Sequence, residues 1–164
     1  MKILNQNQIQ QKIKRLSYEI IENNFNAPVI YLVGINKNGL GFAKMLLKEL
    51  KKKTKTEFKL CQISINPAEP IAHPVTLDVD TEELNDKVVI IVDDVANTGR
   101  TLFYAMKPLL ETLPNKVEMA VLVDRKHKSF PITPDYVGLS LATTMQENID
   151  VKIKDKDKQS VYLK

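Results

Sequence analysis

Two adjacent carboxylates, Asp93 and Asp94, are the residues whose type and position most clearly indicate chemistry. They directly follow the apolar run Val88–Val92, which predicts a buried strand. A carboxylate at the end of a buried strand needs a partner, because an unpaired charge is costly to remove from water. The vicinal hydroxyls of a sugar, or a hydrated divalent cation, would supply one. We therefore expect a ligand at this end of the strand.

A phosphate site is predicted a few residues further along, where Thr98-Gly99-Arg100-Thr101 opens a helix. Free main-chain N–H groups at a helix start, together with two threonine hydroxyls, form a cradle for an anion. Gly99 lets the main chain approach a phosphate closely. A ribose-sized gap between carboxylates and cradle indicates a ribose 5-phosphate ligand. The alternative is that the aspartates only cap a strand–turn–helix connection.

The run Val89–Thr101 resembles the motif with which type I phosphoribosyltransferases bind 5-phosphoribosyl 1-pyrophosphate (PRPP). The resemblance covers nearly the whole chain and points to the family of uracil phosphoribosyltransferases and pyrimidine-operon attenuators. It is also carried by residues 14–23 (KRLSYEIIEN), 32–35 (LVGI), 122–127 (LVDRKH) and 134–138 (PDYVG). It implies an α/β protein with the type I phosphoribosyltransferase fold, in which helices flank a central, mainly parallel sheet with a short hood.

The activity that the resemblance implies is a transfer of the 5-phosphoribosyl group from PRPP to a nucleobase, with release of pyrophosphate. Uracil, giving UMP, is the acceptor that the family indicates. The implied transition state has oxocarbenium character and needs no nucleophilic side chain. Mg²⁺ is the implied cofactor; PRPP holds it for the most part, near Asp93 and Asp94, since magnesium keeps waters and uses substrate phosphates.

The resemblance also assigns roles to residues. Asp93 and Asp94 would be the catalytic pair that holds the ribose hydroxyls and stabilises the sugar cation. The PRPP-binding residues would be Val95, Ala96, Asn97, Thr98, Gly99, Arg100 and Thr101, with the 5-phosphate on the last five. The pyrophosphate loop would be Asn36, Lys37, Asn38 and Gly39. The base-binding residues would be Asp124, Tyr136 and Val137, with the ring of Tyr136 stacked on the base.

Three features depart from the family's pattern. A threonine–arginine pair of the pyrophosphate loop reads Lys37-Asn38 here, which keeps a charge but loses the bidentate guanidinium. The family's arginine- and aspartate-bearing hood loop is replaced by residues 66–74 (NPAEPIAHP). Tyr18 and Thr133 stand where the attenuators have a histidine and an arginine. Apart from these features, Asp124 stands where purine-specific relatives usually have a lysine, which disfavours hypoxanthine or guanine as the base.

A second function stays open: a pyrimidine-responsive RNA-binding regulator that binds nucleotide or PRPP with little or no catalysis. The formal charge of +4, the pI near 9.0 and the altered pyrophosphate loop favour it. The replaced histidine and arginine oppose it. The dense basic run Lys48–Lys59 would contact RNA phosphates, or it is a solvated helix end where lysines suit the dipole.

The elements that must position these residues follow from hydrophobic periodicity. Amphipathic spacing predicts helices over about residues 6–24, 40–53 and 100–113. Apolar runs predict strands over residues 29–33, 57–65, 75–79, 87–93, 117–123 and 136–139. Loops are expected at 34–39 and 66–74, and a solvated turn at 152–158. Strands alternating with helices indicate a parallel sheet, whose ligands bind at the carboxyl ends of the strands.

Length and composition are those of one globular domain over residues 1–164, with 43% hydrophobic and 27% charged residues. The single cysteine, Cys61, excludes an intramolecular disulfide and a cysteine-based zinc site. No apolar run is long enough for a membrane span, and the N-terminus has no secretory h-region, so a cytoplasmic protein is expected. The expected partners are PRPP and a nucleobase or nucleotide, with no membrane. The family resemblance implies a homo-dimer or larger homo-oligomer.

Overall fold

The computed structural model describes residues 1–164, which form nine strands and three α-helices. In chain order these are β1 (Lys2–Leu4), α1 (Gln6–Asn23), β2 (Val29–Ile35), α2 (Asn36–Leu50), β3 (Glu57–Ser64), β4 (Thr76–Leu77), β5 (Val88–Ala96), α3 (Arg100–Ala105), β6 (Lys116–Arg125), β7 (Tyr136–Leu141), β8 (Ile149–Lys152) and β9 (Ser160–Leu163). Short 3₁₀ turns occupy Thr81–Leu84 and Lys107–Glu111.

Six strands form the larger sheet in the order β4-β3-β2-β5-β6-β7, parallel throughout except for the β3–β4 pair. The apolar faces of α1 and α2 pack on one side of this sheet and α3 packs on the other. Residues Val88–Val92 of the central strand β5 are all buried, as their continuous apolar run requires in a sheet covered on both faces. The predicted fold class, a mainly parallel sheet flanked by helices, is confirmed.

Three predicted elements differ in extent. Residues 34–39 are not a loop, because β2 continues to Ile35 and α2 begins at Asn36. The helix predicted over 100–113 ends at Ala105 and continues as a 3₁₀ turn that contains Pro108, which has no N–H for an α-helical hydrogen bond. The strand predicted over 75–79 forms ladder bonds only at Thr76–Leu77.

A second, antiparallel sheet joins the two ends of the chain in the order β1-β9-β8. Sequence patterning missed β1 and β8, and it placed a solvated turn where β8 ends. Val161 of β9 is fully buried and Ile153 nearly so, which ties this small sheet to the core on the α1–α2 side. The hood therefore consists of the chain termini and not of residues 66–74 alone.

None of the helices is both long enough and apolar enough to cross a bilayer.

Candidate functional site

A cleft of about 590 Å³ opens at the carboxyl ends of β2 and β5, between the large sheet and the hood. Its position agrees with the rule that ligands of parallel α/β sheets bind at this edge. One wall is the end of β5 and the turn after it, a second is the first turn of α2, and the hood supplies the third. The lining residues include Asn36, Lys37, Asn38, Pro67, Asp93, Asp94, Val95, Asn97, Thr101, Ile149, Asp150, Val151 and Lys154.

The acidic pair lies at the floor of this cleft. Asp93 is only 8% exposed, and its Oδ1 accepts a hydrogen bond of 2.9 Å from the main-chain N–H of Asp94. Burial, together with the negative charge of Asp94, raises the pKa of Asp93 well above its usual range. Burial also raises the pKa of Asp94, although hydrogen bonds from Asp93, Val95 and Asn38 oppose that rise. Both shifts favour the protonated form relative to a free carboxyl, most strongly at Asp93, the more buried member of the pair.

The turn after β5 presents unpaired main-chain donors. The N–H groups of Asn97, Thr98 and Gly99 donate to no protein acceptor. Residues Val95–Leu102 surround a small concavity of about 50 Å³ at this turn. Three free donors around a concavity are suited to an anion such as a phosphate. The side chain of Arg100 leaves this concavity, because its Nη2 donates to the carbonyl of Ala68 at 3.0 Å.

The segment after β6 supports this turn from behind. The N–H groups of Ser129 and Phe130 donate to the carbonyl of Thr98 at 2.9 and 3.1 Å. Gly99 adopts a left-handed φ of +84°, and a Cβ on it would lie 3.0 Å from Cβ of Ile132. The conformation of the turn is thus fixed by its own backbone and by the packing of Ile132, both of which require glycine.

The first turn of α2 forms the wall opposite the acidic pair. Asn36 has a positive φ of 52°, and its side-chain amide both donates to and accepts from the main chain of Ile65 at 2.9 Å. This double contact fixes the entry of the helix, so that Lys37 and Asn38 line the cleft. Gly39, predicted as part of a pyrophosphate loop, is instead buried against β5: a Cβ there would lie 2.5 Å from the carbonyl oxygen of Val92.

The predicted stacking of Tyr136 on a base is wrong. Its side chain is fully buried, and its hydroxyl donates to the Glu118 carboxylate at 2.9 Å. Asn24 donates to the same carboxylate at 2.8 Å, so that the three polar groups form one buried network between α1, β6 and β7. Tyr136 is the first residue of β7, and its ring faces the α1 side of the sheet, where no ligand can reach it.

The other two predicted base-binding residues are also engaged by protein groups and do not line the cleft. The carbonyl of Val137 accepts a hydrogen bond of 2.9 Å from Nη2 of Arg15. The carboxylate of Asp124 is 6% exposed and pairs with the ammonium of Lys128, which also donates to the carbonyl of Arg125. A base that contacts Asp124 would therefore have to share it with Lys128.

Sequence reasoning missed the residues that the hood contributes. Ile149, Asp150, Val151 and Lys154 line the cleft, although the first three were assigned to no element and Lys154 was placed in a solvated turn over 152–158. It also missed the placement of Arg125, which is buried and donates to Oγ1 of Thr143 and to Oδ1 of Asn97. The alternation of Ile149, Val151 and Ile153 was a usable strand signal, but the lysines and aspartates between and after them obscured it.

Comparison with known proteins adds sequence and structural likeness. The family model described as "Phosphoribosyl transferase domain" matches residues 2–156. A protein named bifunctional protein PyrR from Limosilactobacillus reuteri is 34% identical over 167 residues, which cover 94% of this chain and 92% of that protein. A protein of the same name from Alkaliphilus metalliredigens is 35% identical, with 96% and 90% coverage.

Solved structures share the fold at lower identity. A hypoxanthine phosphoribosyltransferase of Trypanosoma cruzi superimposes with a TM-score of 0.78 at 17% identity, covering 98% of this chain and 94% of that one. A hypoxanthine-guanine phosphoribosyltransferase from Bacillus anthracis gives a TM-score of 0.72 at 22% identity, with 86% and 83% coverage. At these identities the likeness is one of fold.

Proposed function

This chain belongs to the phosphoribosyltransferase family, and from that premise we propose that it transfers the 5-phosphoribosyl group of PRPP to uracil, giving UMP and pyrophosphate. The enzyme class follows from the family, and the choice of uracil is supported by the likeness to bifunctional PyrR proteins. The observation that carries the proposal is one of geometry: at the same end of β5, the acidic pair lines the 590 Å³ cleft and three unpaired main-chain N–H groups surround the 50 Å³ concavity, which shares Val95, Asn97 and Thr101 with that cleft.

The residues divide the ligand among them. The N–H groups of Asn97, Thr98 and Gly99 bind the 5-phosphate. Asp94, the less buried member of the pair, accepts hydrogen bonds from the ribose hydroxyls and places a negative charge beside the sugar. That charge stabilises the cation that develops at C1 as the pyrophosphate leaves.

The leaving group is met by the first turn of α2. Lys37 supplies the positive charge and Asn38 supplies an amide. Both are exposed in the free protein, so they are accessible to a ligand that enters from solvent. The hood strand β8 covers the ribose and limits the access of water to the cation.

The donor set of the cleft fits a magnesium ion carried by PRPP. No group of three or more acidic, histidine or cysteine side chains that would hold a metal by itself is present. Two carboxylates beside a phosphate site are the usual protein share of a magnesium–substrate complex. When bound, the ion would neutralise charge on the pyrophosphate oxygens.

The test is release of pyrophosphate from PRPP with Mg²⁺ across a panel of uracil, hypoxanthine, guanine, adenine and no base. We expect turnover with uracil and little with the purines. Turnover with a purine alone would contradict the acceptor, and absence of turnover with every base would contradict the catalytic function. Asp157→Asn, on the exposed turn between β8 and β9, serves as the matched control for variants of the acidic pair.

A second function, regulation through pyrimidine-leader RNA, is supported by one surface feature. The ring of Tyr18 is 57% exposed, and the ammonium of Lys53 lies 5.0 Å from its centroid. An exposed ring beside a cation is suited to stacking on an unpaired base. A filter-binding salt titration with leader RNA and a scrambled control tests it, because specific binding persists at salt concentrations where counterion-driven binding is lost. Equal affinity for both RNAs would contradict it.

We also propose a homo-oligomer in the cytoplasm. Leu110 and Leu113, which follow α3, are each 80% exposed. Large apolar side chains that are exposed close together in the chain are typical of surfaces that contact another protein. The free thiol of Cys61 is compatible with a reducing compartment. Sedimentation equilibrium of the parent and of Leu110→Lys/Leu113→Lys would test the assembly: the molar mass in solution should be lower for the variant than for the parent.

A further inference from the structure

A second groove lies beside the cleft, between α2 and the turn that joins the two C-terminal strands β8 and β9. It encloses about 450 Å³, a volume within the range of small-molecule sites. Five lysines line it: Lys44, Lys48, Lys52, Lys154 and Lys156. Only Lys52 among them is in an ion pair. The groove is therefore a concentration of unneutralised positive charge.

The one carboxylate of this groove does not cancel that charge. Glu49 is 7% exposed and is bonded to the ammonium groups of Lys52 and Lys53. Hydrogen bonding by Lys53 lowers the pKa of Glu49, so it stays ionised and occupied by its partners. The remaining four lysines are exposed and in no ion pair, so their positive charges are available to an anion that enters from solvent.

The floor of the groove supplies a different kind of surface. Gly41, Met45 and Ile153 line it, and Ile153 is nearly buried. Gln159 is only 6% exposed, and the sole partner of its Nε2 is the thioether of Met45 at 3.8 Å. A thioether is a weak acceptor, so a buried amide donor aimed at the groove is left without a strong hydrogen bond.

Two side-chain contacts hold the far wall in place. Nε2 of Gln6 donates to the carbonyl of Lys156 at 2.9 Å, and Nε2 of Gln10 donates to Oε1 of Gln159 at 3.1 Å. Both donors belong to α1, so the turn and the helix pair form one fixed frame. The groove is thus a built feature of the fold and not a gap between independently moving segments.

We propose that this groove binds a nucleoside polyphosphate at a site separate from the PRPP cleft. The lysines take the phosphate chain, the apolar floor takes one face of the base, and the amide of Gln159 donates to a base acceptor. An RNA strand is the less suitable occupant, because a groove of about 450 Å³ has the volume of a small-molecule site and the nearly buried amide of Gln159 lines it.

The groove and the cleft share one side chain, because Lys154 lines both. A polyphosphate that engages this ammonium withdraws it from the cleft. Groove occupancy therefore weakens the binding of PRPP, an effect that, unlike binding itself, rests on the proposed function. The coupling is mutual, since two ligands that share one group lower each other's affinity equally.

Binding is tested by calorimetry with inorganic tripolyphosphate and with ATP, GTP, CTP and UTP in turn. The Lys44→Glu/Lys48→Glu variant should bind the preferred nucleotide at least about tenfold more weakly, since each lost charge-assisted hydrogen bond is worth that factor or more. The matched control is Lys51→Glu/Lys55→Glu, which changes the net charge equally at two exposed lysines outside the groove. The control should bind as the parent does.

The Gly99→Ala variant distinguishes binding in the groove from binding in the cleft. Binding that survives Gly99→Ala but is lost in Lys44→Glu/Lys48→Glu belongs to the groove. Binding lost in Gly99→Ala and unchanged in the lysine variant places the nucleotide in the cleft and overturns the proposal. The proposal is also overturned if a random 20-nucleotide RNA binds through these lysines while no nucleotide and no tripolyphosphate binds.

In kinetic assays the nucleotide should raise the KM for PRPP in the parent and not in the lysine variant. Nucleotide binding without a change in this KM would support the site and contradict its coupling to the cleft.

Discussion

At the scale of single residues, Asp93 works against folding in order to serve the cleft. Its raised pKa means that the folded chain keeps a proton that the unfolded chain releases near pH 4. Between these two pKa values the folded state binds more protons than the unfolded state. The stabilisation from the protonated form is therefore complete below the unfolded pKa and is lost as pH rises through the folded pKa.

Asp93→Asn should consequently raise the melting temperature at neutral pH and flatten its decline from pH 5 to pH 8. Asp94→Asn, in contrast, removes the negative charge beside the sugar, so kcat/KM for PRPP should fall by about ten- to a hundredfold in that variant. Differential scanning fluorimetry over this pH range, with steady-state kinetics, checks both effects. Asp157→Asn should change neither. A variant that is less stable at neutral pH would show that Asp93 is ionised in the fold.

Gly99→Ala is the sharpest test of the phosphate cradle. The left-handed backbone costs an alanine roughly 1–2 kcal/mol, and its methyl group would crowd Ile132 at 3.0 Å. The methyl points behind the turn and not at the ligand, so the expected loss of PRPP affinity comes from a displaced turn. Calorimetry should find no PRPP binding while circular dichroism stays that of the parent.

Two further variants, one at Gly41 and one at Gly99, serve as controls for this test. In Gly41→Ala the new methyl would meet nothing nearer than 3.7 Å, so affinity and fold should both be retained. Gly99→Asn should be milder than Gly99→Ala, because asparagine tolerates the left-handed region. Tight PRPP binding by Gly99→Ala would remove the cradle from the proposed site.

At the scale of elements, Tyr136 ties α1 to β6 and β7 through Glu118 and Asn24. Tyr136→Phe keeps the ring and removes the hydroxyl, which leaves the buried Glu118 carboxylate with one hydrogen bond fewer. The free energy of unfolding should fall by about 1–3 kcal/mol. Because this network lies at the amino ends of β6 and β7 and the cleft lies at the carboxyl ends of the strands, kcat/KM for the base should stay that of the parent. Urea denaturation measures the first effect, and a fall in kcat/KM at unchanged stability would restore a base-contacting role.

How far the sequence predicted these elements depended on the range of the interactions involved. The continuous apolar runs of β2, β5 and β6 predicted buried strands because burial on both faces is a local requirement. The same apolar run predicted Asp93 and Asp94 at its end, although β5 continues through both aspartates to Ala96 before the turn begins. The start of β7 at Tyr136 was predicted correctly, but the face on which the ring lies is set by how β7 pairs and packs in the folded sheet, and a shift by one residue reverses that face. The burial of the Tyr136 ring could therefore not be predicted from the hydrophobic pattern.

The hood was beyond the sequence for a different reason. Lys2–Leu4 has too few residues for periodicity to indicate a strand, and its partner is at the other end of the chain. Such a pairing is decided by tertiary packing and not by local propensity. The wall that β8 gives to the cleft, including Lys154, depends on that pairing. The sequence consequently indicated cleft-lining residues on the side of β5 and none on the side of the hood.

At the scale of the whole molecule, the two chain ends hold each other over the cleft. The N–H of Leu163 donates to the carbonyl of Met1 at 2.8 Å, and the terminal amine of Met1 donates back to the carbonyl of Leu163. Met1 and Leu163 are thus a hydrogen-bonded pair, so the neighbouring Lys2 and Tyr162 form a non-hydrogen-bonded pair with closely spaced Cα atoms. Such spacing is compatible with a disulfide.

Lys2→Cys/Tyr162→Cys should therefore form a cross-link on oxidation that closes nearly the whole chain into one loop. Chain entropy assigns a long loop about 4–5 kcal/mol, and we expect about 2–4 kcal/mol because the substitution also removes the contact of Lys2 with the Tyr162 ring. The melting temperature should rise by roughly 5–10 °C. Burial raises the pKa of the Cys61 thiol to about 12, so Cys61 stays unreactive and does not mispair.

Calorimetric melting of the oxidised and the dithiothreitol-reduced double variant measures this gain on one and the same chain. The single variant Lys2→Cys controls for the lost side chain, since it has no partner to oxidise with. PRPP turnover should be equal before and after oxidation if the hood keeps its position over the cleft throughout the reaction, because the cross-link only fixes a pairing that already exists. A cross-linked protein that melts higher but turns over PRPP more slowly would show that the ends separate during catalysis, and failure to cross-link would mean that β1 and β9 do not pair.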